Sequence, residues 1–347
     1  MTARLNSTVP PWVVDFFNLN FNIMNTFFKR RCVTAVLFTA VAMPMVWAQE
    51  FPTQTVRVVV PFPAGGSTDL VTRALAVELG AVLKQSVIVE NRAGAGSLLG
   101  SEFVAKAPAD GYTLLMAGLT NVFLPFVHKN LRFNPIDDFA GIGLVADLPN
   151  VLAVNAATPY KKLDDLLKAD KAKPKSLNFA SAGVATPSHL VCEMINYQTG
   201  SQLEHVPYKG NAPAVADLMG GHIPAMCNNL GGTLPYMNSG QIRILAQTGK
   251  TRSQAVPDVP TFAELGISGL ESGLWMGLVA PKGTPAEVVK TLNQALTKAM
   301  SSPALKDKLS QLGATALPSS VGAFDERVRQ DRKSWEPMLG KLNLTSQ

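Results

Sequence analysis

From residue 55 onward, short apolar runs alternate with segments of helical periodicity. Residues 55–61 (TVRVVVP) are almost continuously apolar and β-branched, the pattern of a strand buried on both faces. The run ends in Phe62-Pro-Ala-Gly-Gly66. Ser67, Thr68 and Asp69 then offer N-cap chemistry ahead of Leu70, Val71, Ala74, Leu75, Leu79, Val82 and Leu83, which recur at helical spacing. The same order of strand, glycine loop and helix returns with residues 86–90 and a helix over 98–105. It returns again with residues 112–116, followed by Thr120 and Asn121. A second series begins at residues 150–154, with strands predicted at 177–180, 203–206, 223–226 and 242–246 and helices at 188–198 and 212–219. Residues 257–273 are punctuated by Pro and Gly, and residues 274–280 read as one more buried strand.

Such alternation predicts an α/β fold of mostly parallel, doubly wound sheets. The C-terminal region reads as helix without new strands. Thr284 as N-cap, Pro285 at N1 and Glu287 at N3 open a helix to about Met300, and two shorter helices run from Ala304 and Phe324. A C-terminal block of this kind is expected to pack back on the first series, so the chain crosses between the two series near 150 and near 270.

Composition changes this picture little. With 347 residues, 47% hydrophobic and 16% charged, the chain is globular and long enough for about two domains. The net charge of +6 matters only through its location. Lys29, Arg30 and Arg31 precede the apolar run 32–47, and Ala48 follows it, the order of a secretory signal with cleavage after Ala48. The run is shorter than the ~20 residues of a spanning helix and is interrupted by Pro44. Met24 begins a signal of ordinary length, so translation is expected to start there. Cys32 stands at the start of the apolar run, which speaks against a lipoprotein. Without residues 1–48, 27 basic side chains face 24 acidic ones, and no nucleic-acid footprint remains. Cys192 and Cys227 reach the exported chain. They could pair in an oxidising compartment, but sequence does not place them within bonding distance, and the expectation is two small buried side chains.

The motifs argue against several chemistries. Gly65-Gly66-Ser67 lacks the lysine of a phosphate-binding P-loop, and in Gly94-Ala-Gly96-Ser-Leu-Leu-Gly100 the third glycine comes one place too late for a dinucleotide fingerprint. Both loops precede helix N-termini, where free N–H groups suit an anion, although the glycines could equally serve only tight turns. Ser188 and His189 are adjacent and diverge on a helix. His128, His189, His205 and His222 have no metal-ligand spacing and read as structural or surface side chains. Asp69 could be imagined as a general base, but in a first helical turn it already has a capping role. No catalytic residue, metal or cofactor is expected.

Six blocks in order, residues 58–69 (VVVPFPAGGSTD), 89–96 (VENRAGAG), 109–115 (ADGYTLL), 177–183 (LNFASAG), 205–210 (HVPYKG) and 257–261 (PDVPT), resemble the Bug family of extracytoplasmic solute-binding receptors of tripartite tricarboxylate transporters. The resemblance spans residues 51–347. It implies two lobes joined by a hinge, of the type II periplasmic binding protein kind: residues 49–150 plus 273–347, and 151–272. It also implies a monomeric periplasmic receptor that closes over a small organic carboxylate and passes it to membrane subunits, or a sensor or scaffold without a transporter, or, at a further remove, a periplasmic enzyme. Carried over by position, the ligand residues are Phe62, Ala64, Gly65, Gly66, Ser67 and Asp69 in the first loop, and Thr120 and Asn121. From the second series come Ser181, Ala182, Gly183, Thr186, Ser188 and Asn228, with Tyr208 and Lys209 either ligand-binding or structural. Val184-Ala185 replaces the Asn-Gly common in relatives, and Asn228-Asn229 stands where relatives often carry Asp before Asn. These departures point away from an amino acid and toward an aliphatic or aromatic carboxylate.

Overall fold

The structure, a computed structural model, describes residues 51–184, 186–270 and 274–340. The export segment 1–48, Met24 and Ala185 lie outside these residues.

Strands β1 (Val56–Val60), β2 (Val87–Asn91) and β3 (Thr113–Gly118) are parallel with β1 in the centre. They lead into helices α1 (Ser67–Leu83), α2 (Leu98–Ala105) and α3 (Leu119–Val127). On α1 the spacing of Val71, Leu75 and Leu79 turns one stripe onto the valines of β1, all buried. Each such side chain contributes roughly 1.5–3 kcal/mol on burial. β10 (Leu274–Pro281) joins β3 antiparallel, followed by β4 (Phe139–Leu148) and the two-residue β11 (Thr315–Ala316).

The second sheet has the order β7-β6-β8-β5-β9: β7 (Glu204–Pro207), β6 (Asn178–Ser181), β8 (Ala225–Asn229), β5 (Asn150–Asn155) and β9 (Ile242–Gln247). Here β6, β7 and β8 are parallel, while β5 is antiparallel to both its neighbours. Helices α4 (Leu163–Ala172), α5 (Pro187–Thr199), α6 (Asn211–Met219) and α7 (Leu234–Asn238) belong to this series. The molecule is therefore an α/β protein of two sheet-and-helix lobes. Each parallel core is extended by the strands next to the crossings: β4 ends at Leu148, β5 starts at Asn150, and Leu274 at the start of β10 sits opposite Leu148.

Several expectations are corrected. The ten-residue strand β4 is not predicted from the pattern, because Gly141 and Gly143 dilute its strand signal. Those glycines serve packing: a Cβ on Gly141 would lie 2.5 Å from the ring of Phe324, and one on Gly143 would lie 3.0 Å from Asn293 Nδ2 and from the Ser319 carbonyl oxygen. The last helix, α10 (Val321–Leu339), has 19 residues and is not short, and β11 adds a strand to a region read as all helix. In α10, Asp331 accepts from Trp275 Nε1 at 2.5 Å and from Arg327 Nε at 2.8 Å, and Trp335 meets Phe123 edge-on, which fastens this helix to the first lobe. Helix α8 (Ala286–Met300) starts one residue later than predicted, with Pro285 as N-cap, and Thr284 Oγ1 donates to the Pro281 carbonyl. Helix α9 (Pro303–Gln311) is capped by Ser302. Cys192 on α5 and Cys227 on β8 form a disulfide with Cα atoms 6.0 Å apart; both are fully buried, so they are buried and bonded at once.

Candidate functional site

Parallel strands place every following loop at their carboxyl ends, and ligands of open α/β sheets collect there. In this chain the carboxyl ends of the two sheets face one another. Ser67 Oγ, after β1, donates to Asn229 Oδ1, at the end of β8, at 2.6 Å. A Cβ built on Gly96, after β2, would lie 3.6 Å from the Val184 carbonyl oxygen, after β6, and one on Gly210, after β7, would lie 3.9 Å from the Pro63 ring. Two loops of the first lobe and three of the second thus converge on one cleft.

The first loop is shaped from within. Ser67, Thr68 and Asp69 do not cap α1 as the pattern suggested; the N-cap is Gly66, with no side chain bonding the first turn. Asp69 turns back and accepts from the Gly65 N–H at 2.9 Å, from Arg73 Nε at 3.0 Å and from Asn91 Nδ2 at 2.9 Å. Burial penalises its charge, but the bonds from Arg73, Gly65 and Asn91 outweigh that and hold the carboxyl below the usual range. Gly65 has φ +80°, so this turn depends on glycine. Asn91 Nδ2 also donates to the Phe62 carbonyl, and its Oδ1 accepts from Arg73. The Gly66 N–H reaches the Pro63 carbonyl at 3.4 Å. Gly65 and Gly66 have therefore spent their donors, and the N–H groups of Ser67, Thr68 and Asp69 receive no side-chain cap at this helix start. Ala64 and Phe62 belong to the same turn.

The second loop carries a residue that spacing did not single out. Ser97 is buried in the left-handed region at φ 87°, and its Oγ reaches no partner. A serine placed between Gly96 and a helix start was the available signal. Asn121 is held by the Gly118 N–H and by Ser101, so it braces the start of α3, whereas Thr120 is buried in an uncapped first turn.

The second lobe offers a closed turn. Ser181 Oγ accepts from the Gly183 N–H at 3.1 Å and lies 2.7 Å from His205 Nε2. Ser188 Oγ accepts from the Ala182 N–H and pairs with Thr186 Oγ1, which donates to the Gly183 carbonyl and also caps α5. Tyr208 donates to Asp217 at 2.7 Å, which pushes its hydroxyl up to about 12, and Lys209 is exposed. Asn228 is fully buried; its Oδ1 accepts from the Asn229 N–H, while its Nδ2 has no partner.

His189 and His205, which have no ligand spacing in sequence, stack at 3.8 Å between centroids, with Phe179 at 5.0 Å from His205. Burial and then the neighbouring His189 push His205 down to about 3. An unfolded chain would take up that proton near the ordinary value of about 6.5. The folded value is lowered, so the stability is fully present above about 6.5 and is lost as pH falls toward about 3. Urea midpoints measured between pH 7 and 4 should therefore decline, and His205→Gln should flatten that decline; an equally steep decline in the variant would remove His205 as its source.

Among the described residues no group of three or more His, Cys, Asp or Glu could hold a metal ion, and no helix is long and apolar enough to cross a membrane. A cavity of about 290 Å³ in the first lobe, between Trp275, Ile136 and Val328, touches only Asn121 of the predicted ligand residues.

The description of the tripartite tricarboxylate transporter family receptors matches residues 71–344. Protein BugT of Bordetella pertussis is 37% identical over 283 residues, which is 80% of this chain and 86% of that protein. The solved periplasmic binding protein BugD superposes with a TM-score of 0.79 at 35% identity, over 85% of this chain and 100% of that one. Rpa4515 of R. palustris, solved with adipate, superposes with a TM-score of 0.80 at 31% identity, over 86% and 100%.

Proposed function

This chain belongs to the tripartite tricarboxylate transporter receptor family, and from that premise we propose that it captures a small organic carboxylate between its lobes outside the cytoplasm and hands it to membrane subunits of such a transporter. The observation that carries the reading is the start of α1, whose N-cap Gly66 offers no side chain to its first turn, set against the second lobe across one cleft through Ser67 and Asn229. Backbone N–H groups at helix N-termini stabilise an anion, and closure excludes water, which strengthens those bonds. The relative solved with adipate carries a ligand of this class.

In this reading the lobes are residues 49–150 plus 273–347 and 151–272. Ser67 and Thr68 N–H, Thr120, Ser97 Oγ, Ser188 N–H and Asn228 Nδ2 face the ligand, and Gly65, Asp69, Asn121, Ser181, Gly183, Thr186 and Tyr208 shape the loops. Asp69, the loop carboxylate of the set, is occupied by Arg73, Asn91 and Gly65. A ligand ammonium would find no acceptor in it, so the ligand is a carboxylate without an amino group. The buried disulfide fits an oxidising compartment and therefore an exported chain. The Ser181–His205 pair has the look of a nucleophile and base, but an imidazole held at about 3 is a poor base at neutral pH.

Calorimetry against malate, adipate, citrate, benzoate and aspartate, with mass analysis of the recovered ligand, tests the proposal. At least one non-amino acid should bind and return chemically unchanged, while aspartate should not bind. Absence of binding throughout, or conversion of a ligand, would overturn the receptor reading.

A further inference from the structure

We infer that Asn229, outside the ligand set carried over by resemblance, is a positioning residue that ties the two lobes together and so sets affinity without touching ligand. Its Oδ1 accepts two hydrogen bonds, from Ser67 Oγ of the first lobe at 2.6 Å and from the Gly232 N–H of its own lobe at 2.8 Å. The Gly232 N–H is a fixed donor, which assigns the carboxamide oxygen, and two bonds use both of its lone pairs. Its backbone N–H donates to Asn228 Oδ1, which orients the side chain whose Nδ2 is unpartnered. The next residue, Leu230, donates its N–H to the carbonyl of Pro149, between β4 and β5 where the chain crosses from one lobe to the other. The Asn229 side chain thus joins the start of α1 to the turn at Gly232, while the backbone at 229 and 230 ties that turn to Asn228 and to the crossing.

The bond to Ser67 spans 162 residues and two lobes, so it exists only while the lobes are together. It is buried there, and such a bond is worth about a three- to tenfold bias of the closed over the open form. Observed affinity scales with the fraction of molecules already competent to bind. The link from closure to affinity rests on the receptor reading; the closure itself does not.

Small-angle scattering of the ligand-free chain tests the inference, with thermal melting alongside. The wild type should scatter as the closed molecule. Ser67→Ala and Asn229→Ala should each lower the closed-to-open ratio by about three- to tenfold, the double variant no further than either alone. Asn229→Asp, which keeps an acceptor for both donors, should restore closure. Scattering unchanged in Ser67→Ala, even with a lowered melting point in Asn229→Ala, would reduce Asn229 to a cap of its own turn and overturn the inference; so would independent, additive effects or a wild type that is already open. Because no ligand is present, failure of every carboxylate to bind would strike the proposed function and leave this result standing.

Discussion

Gly231→Ala should push the two lobes apart at the turn 230–232 and cost about 3 kcal/mol or more, the upper range of overpacking. A Cβ on Gly231 would lie 2.2 Å from the Leu312 carbonyl oxygen, a backbone atom at the end of α9 that cannot swing away as a side chain would. The neighbouring glycine leaves no slack, since a Cβ on Gly313 would lie 3.1 Å from Leu230 Cγ and 3.2 Å from the Gly231 nitrogen. The turn at residues 230–232 therefore sits against the first lobe by backbone contact, close to the chain crossing. Two routes of relief exist: local distortion, read as a lower urea midpoint, or rotation of the second lobe away, read as a larger radius in scattering. The expected result combines them, and both measures should move together. A variant with wild-type stability and wild-type radius would show that the two lobes do not bear on one another at this turn.

Removal of the disulfide should have an effect of similar size through the unfolded chain. Cys192 and Cys227 are 35 residues apart. Opening a loop of that length restores chain entropy worth about 4 kcal/mol in the loop-closure account. In a chain of this size that corresponds to a fall in melting temperature of about 6 °C. The bond also joins α5, whose first turn borders the cleft, to β8, which carries Asn228 and Asn229. Cys192→Ala with Cys227→Ala, and the wild type under dithiothreitol, should melt at the same lowered temperature. The double variant should be insensitive to the reductant. If reduction leaves the wild type unchanged, the bond does not stabilise the fold.

The strands and helices were largely readable because their burial is strong and periodic. Residues 55–61 announce β1, and the helix over 98–105 has the predicted bounds. The reading failed where side chains from distant segments set the local choice. β4 carries Gly141, which weakens its strand signal, because the ring of Phe324, nearly two hundred residues later, packs against that position. β10 lies antiparallel because the chain must return from the second lobe next to where it left, a matter of topology that periodicity does not encode.

The candidate site divides in the same way. Glycine-rich turns ahead of helices were visible as a pattern, since only backbone freedom and cap chemistry are needed to see them. The use of each donor was not. Asp69 closes its own loop, Ser67 reaches the other lobe, and Ser97 keeps a buried hydroxyl without partner, all through neighbours brought near by folding. Sequence alone determined that this is an α/β chain of two series with helix starts that can receive an anion, because local periodicity and glycine placement carry that information. Only the tertiary structure decided that Cys192 meets Cys227, that His205 lies against His189, and that Asn229 closes on Ser67. Pair distances depend on how two sheets are stacked and joined, and no spacing along one chain can supply them.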